Sequence, residues 1–277
     1  MQRVRLTLEY DGTEFAGFQL QGKGERTVQG VLETAIERLS GVPTRLHGAG
    51  RTDAGVHAWG QVAHFDTEWT IPESRIAAAL NSVLPSDLSV RDGRRAEPGF
   101  HARYDATARV YRYTVLNRVN PSALLTRYAW HVREPLDPAA MRAAAGELTG
   151  TYDFAAFGTP DAPGKSTVRR VDRLSVTPRK DCLLITVRGN AFLRQMVRAF
   201  VGTLVQAGSG RITPEWVRSL RESGDRARCP GIAPPHGLCL VKVEYDGSRN
   251  RRELTELSDH IEKSQETDHE DLFGEAE

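Results

Sequence analysis

The chain has 277 residues, 39% of them hydrophobic and 26% charged, the balance of a soluble folded protein with room for one large domain or two ordinary ones. No run of about 18 apolar residues is present, and residues 1–5 enter an alternating pattern directly, so neither a membrane span nor a signal peptide is expected, and the expected location is the cytoplasm. The net charge of +1 hides an asymmetry: residues 251–277 hold ten of the 36 acidic residues and three of the 37 basic ones, which leaves that stretch at −7 and the rest at +8, a body suited to gripping phosphate.

Val4, Leu6 and Leu8 alternate with Arg5, Thr7 and Glu9, as in a half-buried strand. Thr27 is placed to cap a helix whose Val28, Val31, Leu32, Ala35, Ile36 and Leu39 fall at helical spacing, and Gly41 and Pro43 stop it. Residues 44–46 read as a short strand and 61–67 as another, followed by a helix over 72–84 and a strand over 88–94. In the second half, 110–116 is strand-like, 137–148 helical, 174–177 and 183–187 are strands around a polar turn, 192–205 is helical and 238–243 is a last strand. Each half thus reads strand–helix–strand–strand–helix–strand, the split βαβ pattern, and two in tandem predict a duplicated, ferredoxin-like α+β architecture. The expected divisions are 1–105, 106–246 and a 247–277 acidic tail, of which 251–277 is expected to be disordered. Residues 152–170 read as an irregular loop long enough to be functional.

Cys182, Cys229 and Cys239 are odd in number and include no Cys-x-x-Cys pair, so neither a disulfide framework nor a zinc ribbon is indicated. Cys229, His236 and Cys239 flank a proline-rich loop before a strand, and free thiols are the simpler account.

The densest chemistry lies at residues 47–58, His-Gly-Ala-Gly-Arg-Thr-Asp-Ala-Gly-Val-His-Ala. Glycines permit a tight loop and close approach of a ligand, and the neighbouring guanidinium favours a charged carboxylate. One alternative is a glycine-rich connection with a surface Asp–Arg pair. A dinucleotide fingerprint fails because Asp53 stands where the third glycine belongs, and a phosphate loop fails for want of Gly-Lys-Ser/Thr. His47, Asp53, His57 and His64 supply metal-ligand types at a spacing that matches no helical zinc motif. A catalytic carboxylate, Asp53, is the reading that remains. Further along, Arg109, Tyr111 and Tyr113 share one strand face. Arg198 lies off the apolar stripe of Met196, Val197, Phe200, Val201 and Leu204, so spacing alone predicts a solvated side chain.

Arg51-Thr52-Asp53-Ala54-Gly55-Val56-His57-Ala58 resembles the active-site motif of the tRNA pseudouridine synthase A family. Tyr10-Asp11-Gly12-Thr13, Thr27-Val28-Gln29-Gly30, Phe100-His101-Ala102-Arg103, the 106–113 segment with Tyr111, and Asn190-Ala191-Phe192-Leu193-Arg194-Gln195-Met196-Val197-Arg198 extend the likeness in one order from about residue 3 to about residue 245. The resemblance implies two similar domains with mainly antiparallel sheets joined across a central catalytic cleft. It implies that Asp53 is catalytic, that the Tyr111 ring stacks on the target base and that Arg198 pairs with Asp53. Arg51 is the alternative partner, or the group that fills the place of a flipped base. Leu238 or Leu240 would floor the uracil pocket, and a plain core strand is the equal alternative. The substrate implied is the anticodon stem-loop of tRNA, handled by a homodimer. The reaction only moves a glycosidic bond from N1 to C5, so no cofactor and no metal are expected. Two departures stand out: the acidic tail lies outside the family pattern, and Gln195 occupies a position that also accepts His. Two rival readings remain. One is a non-catalytic RNA-binding module, since doubled split βαβ sheets with strand tyrosines suit RNA; the other is a metal-dependent phosphoesterase.

Overall fold

Alternation along Gln2–Tyr10 produces strand β1 in the computed structural model, with Val4, Leu6, Leu8 and Tyr10 buried on one face. The structure describes residues 1–22, 24–160 and 162–246. The stretch expected to be disordered, 251–277, lies outside the described residues.

Helix α1 (Val28–Ser40) starts where Thr27 Oγ1 accepts the Gly30 N–H at 3.2 Å, and it ends at Gly41 in the left-handed region. Strands β2 (His47–Gly48) and β3 (His57–Thr67), helix α2 (Ile76–Asn81) and strand β4 (Leu88–Arg95) follow. The second half contains β5 (Ala106–Asn117), β6 (Trp130–Val132), α3 (Pro138–Gly146), β7 (Gly150–Asp153), β8 (Val168–Arg179), β9 (Cys182–Gly189), α4 (Met196–Gly208), α5 (Pro214–Ser223) and β10 (Leu238–Tyr245).

Several expectations are corrected. The 44–46 strand is displaced to β2, where Gly48 pairs with Ala63 of β3. Strand β3 begins at His57, four residues earlier than expected, because His57 and Ala58 pair with Cys239 and Leu240 of β10 and Ala58 also with Tyr10 of β1. The helix expected from residue 192 starts only at Met196, since Arg194 is bridged antiparallel to Thr159 and Gln195 has φ 63°. The expected 152–170 loop is shorter at both ends, since 152–153 close β7 and 168–170 open β8, and α5 lies where no element is expected.

The ten strands form one sheet in the order β4-β1-β3-β10-β5-β9-β8-β7, with β2 added to β3 and β6 to β5. Pairing is mainly antiparallel, and β3–β10 and β5–β6 are parallel. The architecture is therefore the expected α+β. Helix α4 is buried almost all round, with Phe200 edge-on to Phe154 and Phe157 at 5.3 and 5.2 Å. At Gly202 a Cβ would stand 2.5 Å from Gly231 O, so the loop before β10 rests directly on α4. Among the described residues no helix is long and apolar enough to cross a membrane.

Candidate active site

Residues 49–56 join β2 to β3 as a loop braced from three directions. Beside β3, Ala49 N–H donates to Val62 O at 2.7 Å and Gln61 Nε2 donates to Gly50 O at 3.0 Å. From the β1–α1 connection, Phe18 N–H donates to Thr52 O at 3.1 Å and Gly55 N–H donates to Phe15 O at 3.3 Å, and at the end of β1 the Tyr10 hydroxyl meets that of Thr52 at 2.8 Å. From β5, Arg109 Nη2 donates to Ala49 O at 2.9 Å. Packing around the loop is tight enough to demand glycine at position 12, where a Cβ would lie 2.1 Å from Val56 O.

Asp53 projects from this loop with its side chain 34% exposed, and its Oδ2 accepts a hydrogen bond from Arg198 Nη1 at 3.1 Å. The Arg198 side chain is only 14% exposed, which corrects the solvated reading drawn from helical spacing. The reason is tertiary. Arg198 lies in the first turn of α4, and residue 233 runs alongside: Arg198 Nε donates to Ala233 O at 2.7 Å while Ala233 N–H donates to Arg198 O at 3.0 Å. The guanidinium thus points one edge at a carbonyl and another at the carboxylate, a use of its planar fork. Among the described residues Arg198 is the cation paired with Asp53, and Arg51 is exposed.

Asp53, Arg51, Arg198, Tyr111 and Leu238 all line one cavity of about 940 Å³. Tyr111 is 8% exposed, with its ring edge-on to Phe192 at 5.4 Å. Burial pushes its hydroxyl up to about 12, against the lowering effect of Arg109, so the phenol keeps its proton at neutral pH. Tyr113 is fully buried, and its hydroxyl donates to Pro234 O at 2.8 Å, as befits a sheet residue. Leu238 reaches the cavity wall; Leu240, two residues further along β10, is fully buried.

The residues weighed as metal ligands are not gathered. Gly12 N–H donates to His57 Nδ1 at 2.9 Å, which puts the ring proton on Nε2, between the carbonyls of Arg127 at 2.8 Å and His236 at 3.1 Å. His57 therefore ties backbone segments together, and His47 stacks on buried His64. Among the described residues no three His, Cys, Asp or Glu side chains are grouped to hold a metal ion.

A family profile described as tRNA pseudouridine synthase matches residues 7–105 and 144–246. The chain belongs to the tRNA pseudouridine synthase family. Proteins named tRNA pseudouridine synthase A are similar over nearly all of their own lengths. The one from Geobacter sulfurreducens is 46% identical over 251 residues, covering 88% of this chain and 100% of that protein. Those from Solidesulfovibrio magneticus and Methylobacterium nodulans are 49% and 47% identical, each covering 88% of this chain and 92% and 96% of theirs. Asp53, Arg198 and Leu238 of this tRNA pseudouridine synthase family member lie inside the matched segments, and Tyr111 lies between them.

Arg109, placed by the sequence on the strand face of Tyr111 and Tyr113, has a role that the sequence does not assign. It is 8% exposed, yet Nη1 donates to Ala106 O and Asn190 O at 3.0 and 2.7 Å, and Nη2 to Ala49 O and Arg103 O at 2.9 and 2.7 Å. Buried charge needs such satisfaction. One guanidinium thus binds the Asp53 loop to β5 and to the segment leading into α4.

Proposed function

We propose that this chain isomerises uridine to pseudouridine in tRNA, with Asp53 as the catalytic carboxylate. The observation that carries the reading is the Asp53–Arg198 pair, on a braced loop, in a cavity that also presents the Tyr111 ring and Leu238. Arg45, Arg51, Arg103 and Arg194 line the same cavity, a charge distribution that suits an RNA backbone.

In this reaction the N1–C1′ bond breaks, uracil turns, and C5 bonds to C1′; the C5 hydrogen leaves as a proton and N1 gains one. Two routes use the same carboxylate. Asp53 either attacks C1′ and holds the sugar covalently, or supports oxocarbenium character while it removes a ribose proton. Both need the uridine out of its stack, and a buried aromatic ring supplies a face to receive it. Tyr111 takes that role, with Leu238 against the uracil edge and Arg198 orienting Asp53. Arg51, exposed at the mouth, fills the place the base vacates. The chemistry needs no cofactor. By the same reading residues 1–105 contribute Asp53 and residues 106–246 contribute its partners, the target lies in the anticodon stem-loop, the working unit is a homodimer, and the setting is the cytoplasm.

The test is tritium release from tRNA carrying 5-³H-uridine. Wild-type protein releases tritium in step with pseudouridine formed, and Asp53→Asn binds the tRNA but releases none. Tight binding with no release by the wild type would identify an RNA-binding module instead.

A further inference from the structure

One end of the cavity wall is built from rings that the reaction above does not use. His47 of β2 is paired with His64 of β3 and stacks on it, centroids 5.1 Å apart and 23° between planes. His64, itself buried, meets His101 edge-on at 4.6 Å, and His101 in turn carries the Tyr104 ring at 4.2 Å with a 32° tilt. From buried His64 the rings lead outward on both sides, to exposed His47 and through His101 to Tyr104, which is 77% exposed. His47, His101 and Tyr104 all line the cavity that holds Asp53.

The loop bearing Tyr104 is fixed. His101 N–H donates to Asp105 Oδ2 at 2.7 Å, Asp105 N–H returns to His101 O at 3.1 Å, and Arg103 N–H donates to His101 Nδ1 at 3.2 Å. Burial, with neighbouring His101 and Arg3, lowers His64 to about 4, and burial likewise lowers His101. Both shifts favour the neutral rings of His64 and His101. A rigid tyrosine with one face on a histidine and the other open to water is an apolar surface awaiting a flat partner.

Space is sufficient. A cavity of about 940 Å³ is at the upper end of what drug-sized ligands fill, roughly 300–1,000 Å³, and one uracil is much smaller. His47 is six residues ahead of Asp53, at most about 20 Å of extended chain, and Tyr104 follows His47 through His101 by centroid steps of 5.7 and 4.2 Å, so a few nucleotides span from Asp53 to Tyr104. We propose that Tyr104, backed by His101, is a second stacking platform that holds an unpaired nucleobase flanking the uridine at Asp53. This rests on the isomerase reading for its substrate. Base–aromatic stacking tolerates any base, so the platform adds grip and register without selecting a sequence.

The experiment pairs kinetics with a fluorescent base. In full-length tRNA, Tyr104→Ala raises KM roughly five- to 150-fold, the range of one lost base–aromatic stack, with kcat changed little, and Tyr104→Phe behaves as wild type. In a second measurement, 2-aminopurine replaces each base beside the reacting uridine in turn, and binding is followed to the Asp53→Asn protein. One position is quenched, and adding Tyr104→Ala abolishes that quench. Unchanged KM and unchanged quench with Tyr104→Ala overturn the platform, as does a Phe variant as impaired as Ala. Wild-type protein that releases no tritium would sink the isomerase reading, and the quench would still decide the role of Tyr104.

Discussion

Two kinds of backbone supply the site. Asp53 stands on an irregular loop, whereas Tyr111, Arg198 and Leu238 stand on β5, α4 and β10. The loop owes its shape to other segments, because its carbonyls at Ala49, Gly50 and Thr52 are each taken by a donor from elsewhere in the fold. The regular elements owe their positions to the core, with Tyr113 and Leu240 fully buried beside the residues that face the cavity. A loop can therefore be as well placed as a strand, provided its peptide groups are satisfied from outside. Arg198 belongs to both classes, since helix packing places its backbone and Ala233 aims its guanidinium.

Changes at the loop should cost chemistry and spare the fold. Asp53→Asn is expected to lower turnover by at least about 10²–10⁴-fold, while thermal unfolding stays near wild type, since none of the bracing bonds uses the carboxylate. A matching loss of stability would break the comparison. Arg198→Lys retains charge but has no fork to reach Ala233 O and Asp53 together. Loss of a charge-assisted hydrogen bond, about 1.5–3 kcal/mol, should lower kcat roughly 10- to 150-fold in steady-state assays. Wild-type kcat in the Lys variant would mean that aim does not matter there.

Tyr111 sharpens the strand side. Tyr111→Leu should weaken capture of the flipped base by about 1–3 kcal/mol, read as a rise in the KM for tRNA. Tyr111→Phe should keep that affinity and lose turnover only if the hydroxyl moves a proton. Two residues along the same face, Tyr113→Phe removes the bond to Pro234 O. Its expected cost is about 1 kcal/mol of stability, seen as a lower urea midpoint, with kcat unaltered. A kcat defect there would mean that the loop before β10 steers the chemistry through Arg198.

Legibility followed the range of the interactions involved. Strand β1 and helix α1 were readable because alternation, a Thr27 cap and a Gly41 stop are all local signals. Helix α5 carried equally local marks and was overlooked: Thr213 caps it, Pro214 opens it and Gly224 closes it in the left-handed region. The two-residue β2 and three-residue β6 are defined by pairing with β3 and β5, and no pattern of two or three residues can declare that. Asp53 was visible as composition. The burial of Arg198 was not, because it depends on Ala233, 35 residues away, and spacing along α4 could only describe the helix itself. The role of Arg109 was hidden for the same reason, as its acceptors lie on three separate segments.

The position of β10 has a consequence for how the molecule is made. Among the described residues this strand is the last of ten in chain order, yet it lies between β3 and β5 near the middle of the sheet. While the nascent chain is still short of residue 238, the start of β3 at His57 and Ala58 and the part of β5 not covered by β6 lack their neighbour, the condition under which strands recruit foreign partners. Asp53 is translated early and waits through most of synthesis for Leu238 and the parallel register of Cys239 with His57. A fragment ending before residue 238 would carry two such edges at once, so premature termination yields an aggregation-prone polypeptide and not a partly active enzyme.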